Sequence, residues 1–289
     1  MPDFCILDGA LLALDAARID PSDRGWSLAD GCFETLRATR GGVLWLAQHR
    51  ERLDAGLAVM GITPPDLRDL PAMIRRLLAA YGAAAGVVRL QVTRGPATER
   101  GLAPPASSQP TTLLTFAPEL PLPAMPSARR AIIAGSTRRN EWSPLSRIKA
   151  LASYPDLLLA LQEAHGRGAD EALLRNTTGE LACSTVANLW IVRGRTLLTP
   201  AAACGATPGV VRHNLLAAAQ SLGLTASEGR IQPADLWGAA EVLLTNVVRG
   251  VQSVVAVDGR PIGSGAAGPV AQQVLGWLRD SEAQLERPT

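Results

Sequence analysis

Residues 31–60, GCFETLRATRGGVLWLAQHRERLDAGLAVM, change their hydrophobic period part-way along and so decide the fold class. Up to Trp45, apolar and polar side chains alternate on either side of Gly41-Gly42, which predicts a β-hairpin. From Ala47 onward Leu53, Leu57 and Met60 recur at helical spacing, and Gly61 stands where a helix ends. Both periods within so short a segment predict an α/β (α+β) chain.

The same alternation continues outward. A second helix is predicted over 67–81, then a buried strand in GVVRLQVTR from Gly86, and a further strand over 112–116. Between them, 95–110 is rich in Pro, Gly and Ser and reads as a long loop. PELPLPAMP carries four prolines from Pro118 to Pro126 and reads as a stiff linker. The expected organisation is a small N-terminal domain over 1–117, a linker over 118–127 and a larger domain over 128–289. In that second half the pattern predicts a strand near 131–134 and a helix over 154–164. Short strands with turns at 176–179 and at Gly194 come next, then a helix over 210–221 opened by Pro208-Gly209. Two strands with an Asp258-Gly259 turn and a terminal helix over 269–285 complete the chain.

With 289 residues, 47% of them hydrophobic, the chain can bury two medium cores. A net charge of +2 with scattered arginines gives no electrostatic footprint for nucleic acid. No basic segment precedes the first apolar run, and no apolar run approaches the roughly 20 residues that span a bilayer, so neither a signal peptide nor a membrane segment is expected. Cys5, Cys32, Cys183 and Cys204 show no metal-binding spacing, and only three histidines accompany them. The expectation is a reduced, cytoplasmic protein with no structural metal.

Lys149 is the only lysine against 27 arginines. Only an ε-amine can lose its proton and attack a carbonyl; a guanidinium stays charged. By count alone Lys149 is as easily a leftover surface cation as a reactive amine, so its surroundings decide. Gly209-Val210-Val211-Arg212 opens a helix after a Pro-Gly turn, leaving backbone N–H groups of Val210 and Val211 at its positive end for an anion. In HRERL from His49, Arg52 precedes an apolar helix position and can turn inward as a bidentate anion partner. Thr245-Asn246-Val247 ends an apolar strand, where backbone donors face clefts. Each of these alone is commoner as plain structure than as a site.

Taken in order, DRGWSLADGCFETLR, HRERL, VTRG, Lys149, GADEALL, ANLW, TPGVVR and TNVVRGVQSV resemble the class IV aminotransferase family of pyridoxal-phosphate enzymes, from about Phe4 to Val270. The resemblance implies a two-domain fold type IV enzyme with mixed sheets and pyridoxal 5'-phosphate between the domains, acting on a small-molecule substrate as a homodimer. It implies that Lys149 bonds the cofactor, that Arg52 holds its phosphate, and that Val210, Val211, Asn246 and Val247 complete the cradle. Within the family, Leu28 where aminotransferases carry tyrosine, and the TNVVRGV and Arg94-Gly95/Arg100-Gly101 pairs, resemble 4-amino-4-deoxychorismate lyase. Leu28, Arg94 and Arg100 are therefore candidate substrate residues. The family's pyridine-facing glutamate falls on Cys183, and strand alternation turns the nearby Glu180 to the other face. Without that carboxylate the ring is a weaker electron sink, which favours pyruvate elimination over transamination. The expected reaction is the lyase, giving 4-aminobenzoate and pyruvate. The alternatives are an aminotransferase for D-amino acids, (R)-amines or branched-chain amino acids, and a cofactor-binding relative with weak or lost catalysis.

Overall fold

Asp8 and Gly9 take φ of +47° and +83° and turn the first hairpin, β1 (Phe4–Leu7) onto β2 (Ala10–Ala13). A two-residue Asp-Gly loop matches the twist of paired strands, and this hairpin goes beyond the sequence reading. The chain continues through α1 (Arg24–Leu28), β3 (Gly31–Thr39), β4 (Gly42–Val43), α2 (Leu46–Met60), α3 (Leu70–Ala80), β5 (Ala85–Thr93) and β6 (Thr112–Pro118). The expected hairpin and helices are present, and Gly61 closes α2 with φ of +61°. The six strands run β2-β1-β6-β5-β3-β4, antiparallel throughout. Leu53 and Leu57 of α2, Ile74 and Leu77 of α3, and Leu36, Val88, Leu90 and Leu114 of the sheet are all buried. Such burial at helical spacing is what fixes each helix.

The rest follows as β7 (Ser127–Ile133), α4 (Tyr154–Gly166), β8 (Glu171–Arg175), β9 (Leu181–Ser184), β10 (Asn188–Arg193), β11 (Thr196–Pro200), α5 (Val210–Ala218), β12 (Thr225–Gly229), β13 (Glu241–Asn246), β14 (Gly250–Val257), β15 (Arg260–Pro261) and α6 (Pro269–Ala283). Eight of these strands run β12-β11-β10-β13-β14-β7-β8-β9, with β15 beside β14. The sheet is mixed: β7 is parallel to both β14 and β8, β11 is parallel to β12, and the other pairs are antiparallel. Trp190, Leu243, Leu215 and Leu275 pack one cluster, Leu189, Ile191, Leu236 and Leu244 another.

This computed structural model describes residues 3–97, 99, 101–105, 108–118 and 121–286. Packing divides the chain into one unit of Met1–Pro121, Ile148–Ala152 and Ser281–Thr289, and a second of Leu122–Arg147 and Ser153–Asp280. The division falls inside the proline stretch read as a linker. It departs from the expected domains in one respect that matters: Lys149, read with the C-terminal domain, packs with the N-terminal unit. Phe33 N donates to Lys149 O at 3.0 Å and Cys32 forms a bridge with Ala150, so backbone pairing to β3 outweighs position in the chain. Among the described residues no helix is long and apolar enough to cross a membrane, and no cluster of His, Cys, Asp and Glu could hold a metal.

Candidate active site

In the first unit β3 is buried along nearly its whole length on both faces, yet it carries Glu34. A carboxylate there needs partners. It has them on α2: His49 Nδ1 lies 2.7 Å from Glu34 Oε2, and Arg52 grips both oxygens, Nε to Oε1 at 2.7 Å and Nη2 to Oε2 at 2.6 Å. His49 and Arg52 are three residues apart and so share one helix face. Burial alone would raise the Glu34 carboxyl, but Arg52 and His49 overcome it and hold it at about 2. For His49 burial is the larger influence, pulling it below its ordinary value against the carboxylate, so the imidazole is neutral at pH 7.

Beside this group lies the only amine side chain. Lys149 Nζ is 4.1 Å from the centre of the Phe33 ring, and Arg89 Cζ of β5 is 4.2 Å from the same ring. Burial of the amine, then the Arg52 charge, lower Lys149 to about 7; Glu34 opposes this and Arg89 adds to it. Neutral and protonated forms therefore coexist near physiological pH, where a solvated lysine is almost wholly protonated.

In the second unit the turn before α5 explains its own sequence. A Cβ at Gly209 would lie 1.9 Å from Asn188 Oδ1, while Asn188 Nδ2 donates to Thr207 O at 2.8 Å. Asn188 also pairs through its backbone with Thr245 across the sheet, so the start of α5 and the end of β13 meet at this one residue. Val210 and Val211 are buried in the first turn of α5, which has no side-chain cap among the described residues. Asn246 Oδ1 accepts from Val248 N at 3.0 Å and Arg249 N at 2.7 Å, holding the turn that contains the buried Val247. Arg212 is occupied by Pro200 O at 2.9 Å and by Glu228.

Cys183 of β9 packs with Ala160 and Ala164 of α4 and Leu174 of β8. Burial pushes its thiol up, against the pull of Arg139. Glu180 is spent elsewhere: it accepts from Asn176 Nδ2 at 2.9 Å and Arg230 Nη1 at 2.7 Å, and Cys204 Sγ lies 3.7 Å away.

A family model described as amino-transferase class IV matches residues 31–257. The chain belongs to the class IV amino-transferase family. It is 28% identical over 280 residues to the D-alanine aminotransferase of Bacillus licheniformis, covering 96% of each. It is 26% identical over 275 residues to a putative branched-chain-amino-acid aminotransferase of Methanocaldococcus jannaschii, covering 95% of this chain and 94% of that one. Its fold is that of the branched-chain amino acid aminotransferase from Thermobaculum terrenum solved in its PLP-form, with a TM-score of 0.86 at 21% identity, covering 96% and 93% of the two chains.

For this family member the structure places Lys149 and Arg52 in one unit; in the other, Asn188 meets Gly209, which precedes Val210 and Val211, and pairs with Thr245, which precedes Asn246 and Val247. Arg94 does not stand as a substrate arginine. Its guanidinium is used by Asp30, at 2.8 and 3.1 Å, and by the carbonyls of Gly61 and Met60, both at 2.7 Å, since a buried arginine satisfies its donors locally. Leu28, at the end of α1, is exposed, and Arg100 lies outside the described residues. Sequence reading passed over Glu34, His49 and Arg89. The available signal was a lone charge inside an otherwise apolar strand, as in CFETL and VVRLQ.

Proposed function

We propose that this chain is a pyridoxal-phosphate-dependent aminotransferase that moves an amino group between an amino acid and a 2-keto acid. The observation that carries the reading is Lys149: the only amine side chain, lowered to about 7, beside a buried Arg52–Glu34 pair. The residues fit a phosphorylated aldehyde cofactor at two points. Lys149 supplies the amine. In the first unit Arg52 supplies phosphate donors beside that amine, and in the second the start of α5, which has no side-chain cap among the described residues, leaves the backbone N–H groups of Val210 and Val211 for an anion. When bound, the cofactor supplies an electron-withdrawing ring that stabilises charge at the substrate carbon. Lys149 Nζ anchors it and, neutral near pH 7, takes and returns the substrate proton. Asn188 and Asn246 keep the two backbone turns of the cradle in place. Cys183 offers the ring a neutral thiol, which cannot hold the ring nitrogen protonated as a carboxylate would.

Amino-group transfer replaces the lyase as the leading reading, because the relatives reported above are named as D-alanine and branched-chain aminotransferases and Arg94 is already occupied. The lyase remains the second reading, favoured by Cys183 among alanines. A homodimer belongs to the same proposal. The test is direct: protein with pyridoxal phosphate and 2-oxoglutarate is offered D-alanine or a branched-chain L-amino acid, and a parallel sample 4-amino-4-deoxychorismate. Glutamate from the first supports transfer. 4-Aminobenzoate alone reverses the order of the two readings.

A further inference from the structure

Within the Glu34 cluster one atom has no role in the chemistry above. His49 is 1% exposed, its Nδ1 meets Glu34 Oε2 at 2.7 Å, and its Nε2 is buried with no hydrogen-bond partner among the described residues. A charged imidazole carries a proton on both nitrogens, and a buried N–H without an acceptor costs the full desolvation of that group. The orphaned Nε2 therefore fixes the tautomer: Nδ1 bears the proton and donates it to Glu34, and Nε2 keeps its lone pair. The charged and titratable groups around it are Glu34 on β3, Arg52 on its own helix, and Lys149, with Arg89 of β5 farther along the Phe33 ring.

We propose that His49 is a positioning residue for cofactor phosphate binding: its Nδ1–H orients the Glu34 carboxylate so that both oxygens grip Arg52, fixing the guanidinium that faces the phosphate. The inference deepens the function proposed above and rests on it. A carboxylate with a single anchor can rotate about its last bond; with His49 on Oε2 and Arg52 on both oxygens, rotation breaks a charge-assisted bond. The arrangement gives the phosphate a donor that is placed before the cofactor arrives, which is where binding free energy is gained.

The test uses full-length protein loaded with pyridoxal phosphate, reading the dissociation constant and the ³¹P resonance of the bound phosphate. His49→Leu keeps the bulk and removes the donor; binding should weaken at least about tenfold, the worth of one hydrogen bond to a charged group, and the resonance should move toward that of free cofactor. His49→Asn places an amide N–H where Nδ1 was and should restore both values. His49→Gln places it where Nε2 was and should not. Should the leucine protein fail to fold, the Asn and Gln variants decide alone. Native affinity and resonance in His49→Leu, or equal loss in Asn and Gln, overturns the positioning role while leaving the cofactor reading intact. A wild-type protein that shows no saturable binding overturns both.

Discussion

The Glu34 cluster of the first unit and the core around Cys183 in the second treat buried polarity in opposite ways. Glu34 is sunk in a β-strand and met by a bidentate arginine and a histidine, so its charge is kept and used. Cys183 stands where the family is expected to hold a carboxylate, but it sits among alanines, and the acid nearest in sequence, Glu180, is tied to Asn176 and Arg230. The contrast is between a buried charge held by two partners and a buried thiol left neutral; on the function proposed above, the electrostatic work falls to the lysine and phosphate end and not to the ring end. Proton handling by Lys149 should then be more decisive for rate than polarisation of the ring.

The sharpest way to break the comparison is at the lysine. Lys149→Ala should reduce amino-group transfer by roughly 10³-fold, since it removes both attachment and the acid–base group, and the loss appears in kcat. Glu34→Gln comes next. Breaking a buried ion pair by removing one partner costs about 3 kcal/mol or more, read as a lower midpoint in urea; an unchanged midpoint would mean that the strand charge contributes nothing. Arg52→Ala should weaken cofactor binding by about 2 kcal/mol, measured by titration of the apoprotein. At the ring end, Cys183→Glu should speed transfer by about 1.5 kcal/mol, a little over tenfold, and leave any pyruvate elimination nearly unchanged. Equal acceleration of both reactions, or of neither, would erase the distinction between the two regions.

The amine also gives a pH signature. Only the neutral form attacks an electrophile, so labelling of Lys149 in the apoprotein should rise with pH through about 7, well below the ordinary 10.5. The sign for stability follows from the same shift. Between about 7 and 10.5 the unfolded chain binds the proton that the folded chain has lost, so the unfolding free energy of the apoprotein climbs with pH in that window, against any flat baseline from other groups. A labelling midpoint near 10 would place the amine in water.

Much of this was legible beforehand, for local reasons. Gly61 ending α2, the Asp258-Gly259 turn with φ of +47° and +78°, and the Pro-Gly start of α5 are set by residues within a few positions of each other. The sole lysine could be counted without any fold. What stayed hidden depends on pairings across distance. Glu34 and His49 are 15 residues apart and meet only when α2 lies against β3, and β3 gave no facial signal because both faces are buried. Arg94 reads like a site arginine in VTRG; only the fold shows Asp30 and the end of α2 consuming its donors. Lys149 was placed with the wrong neighbours because the backbone pairing of its short segment to β3 is invisible in a stretch without periodicity.

The most direct test of the central claim is to load the purified protein with pyridoxal phosphate, reduce it with borohydride and map the peptides by mass spectrometry. The account predicts one reduced cofactor per chain, carried on the peptide that contains Lys149, and loss of amino-group transfer in proportion to its formation. An intact Lys149 peptide after reduction, in a protein that still transfers amino groups, would contradict it.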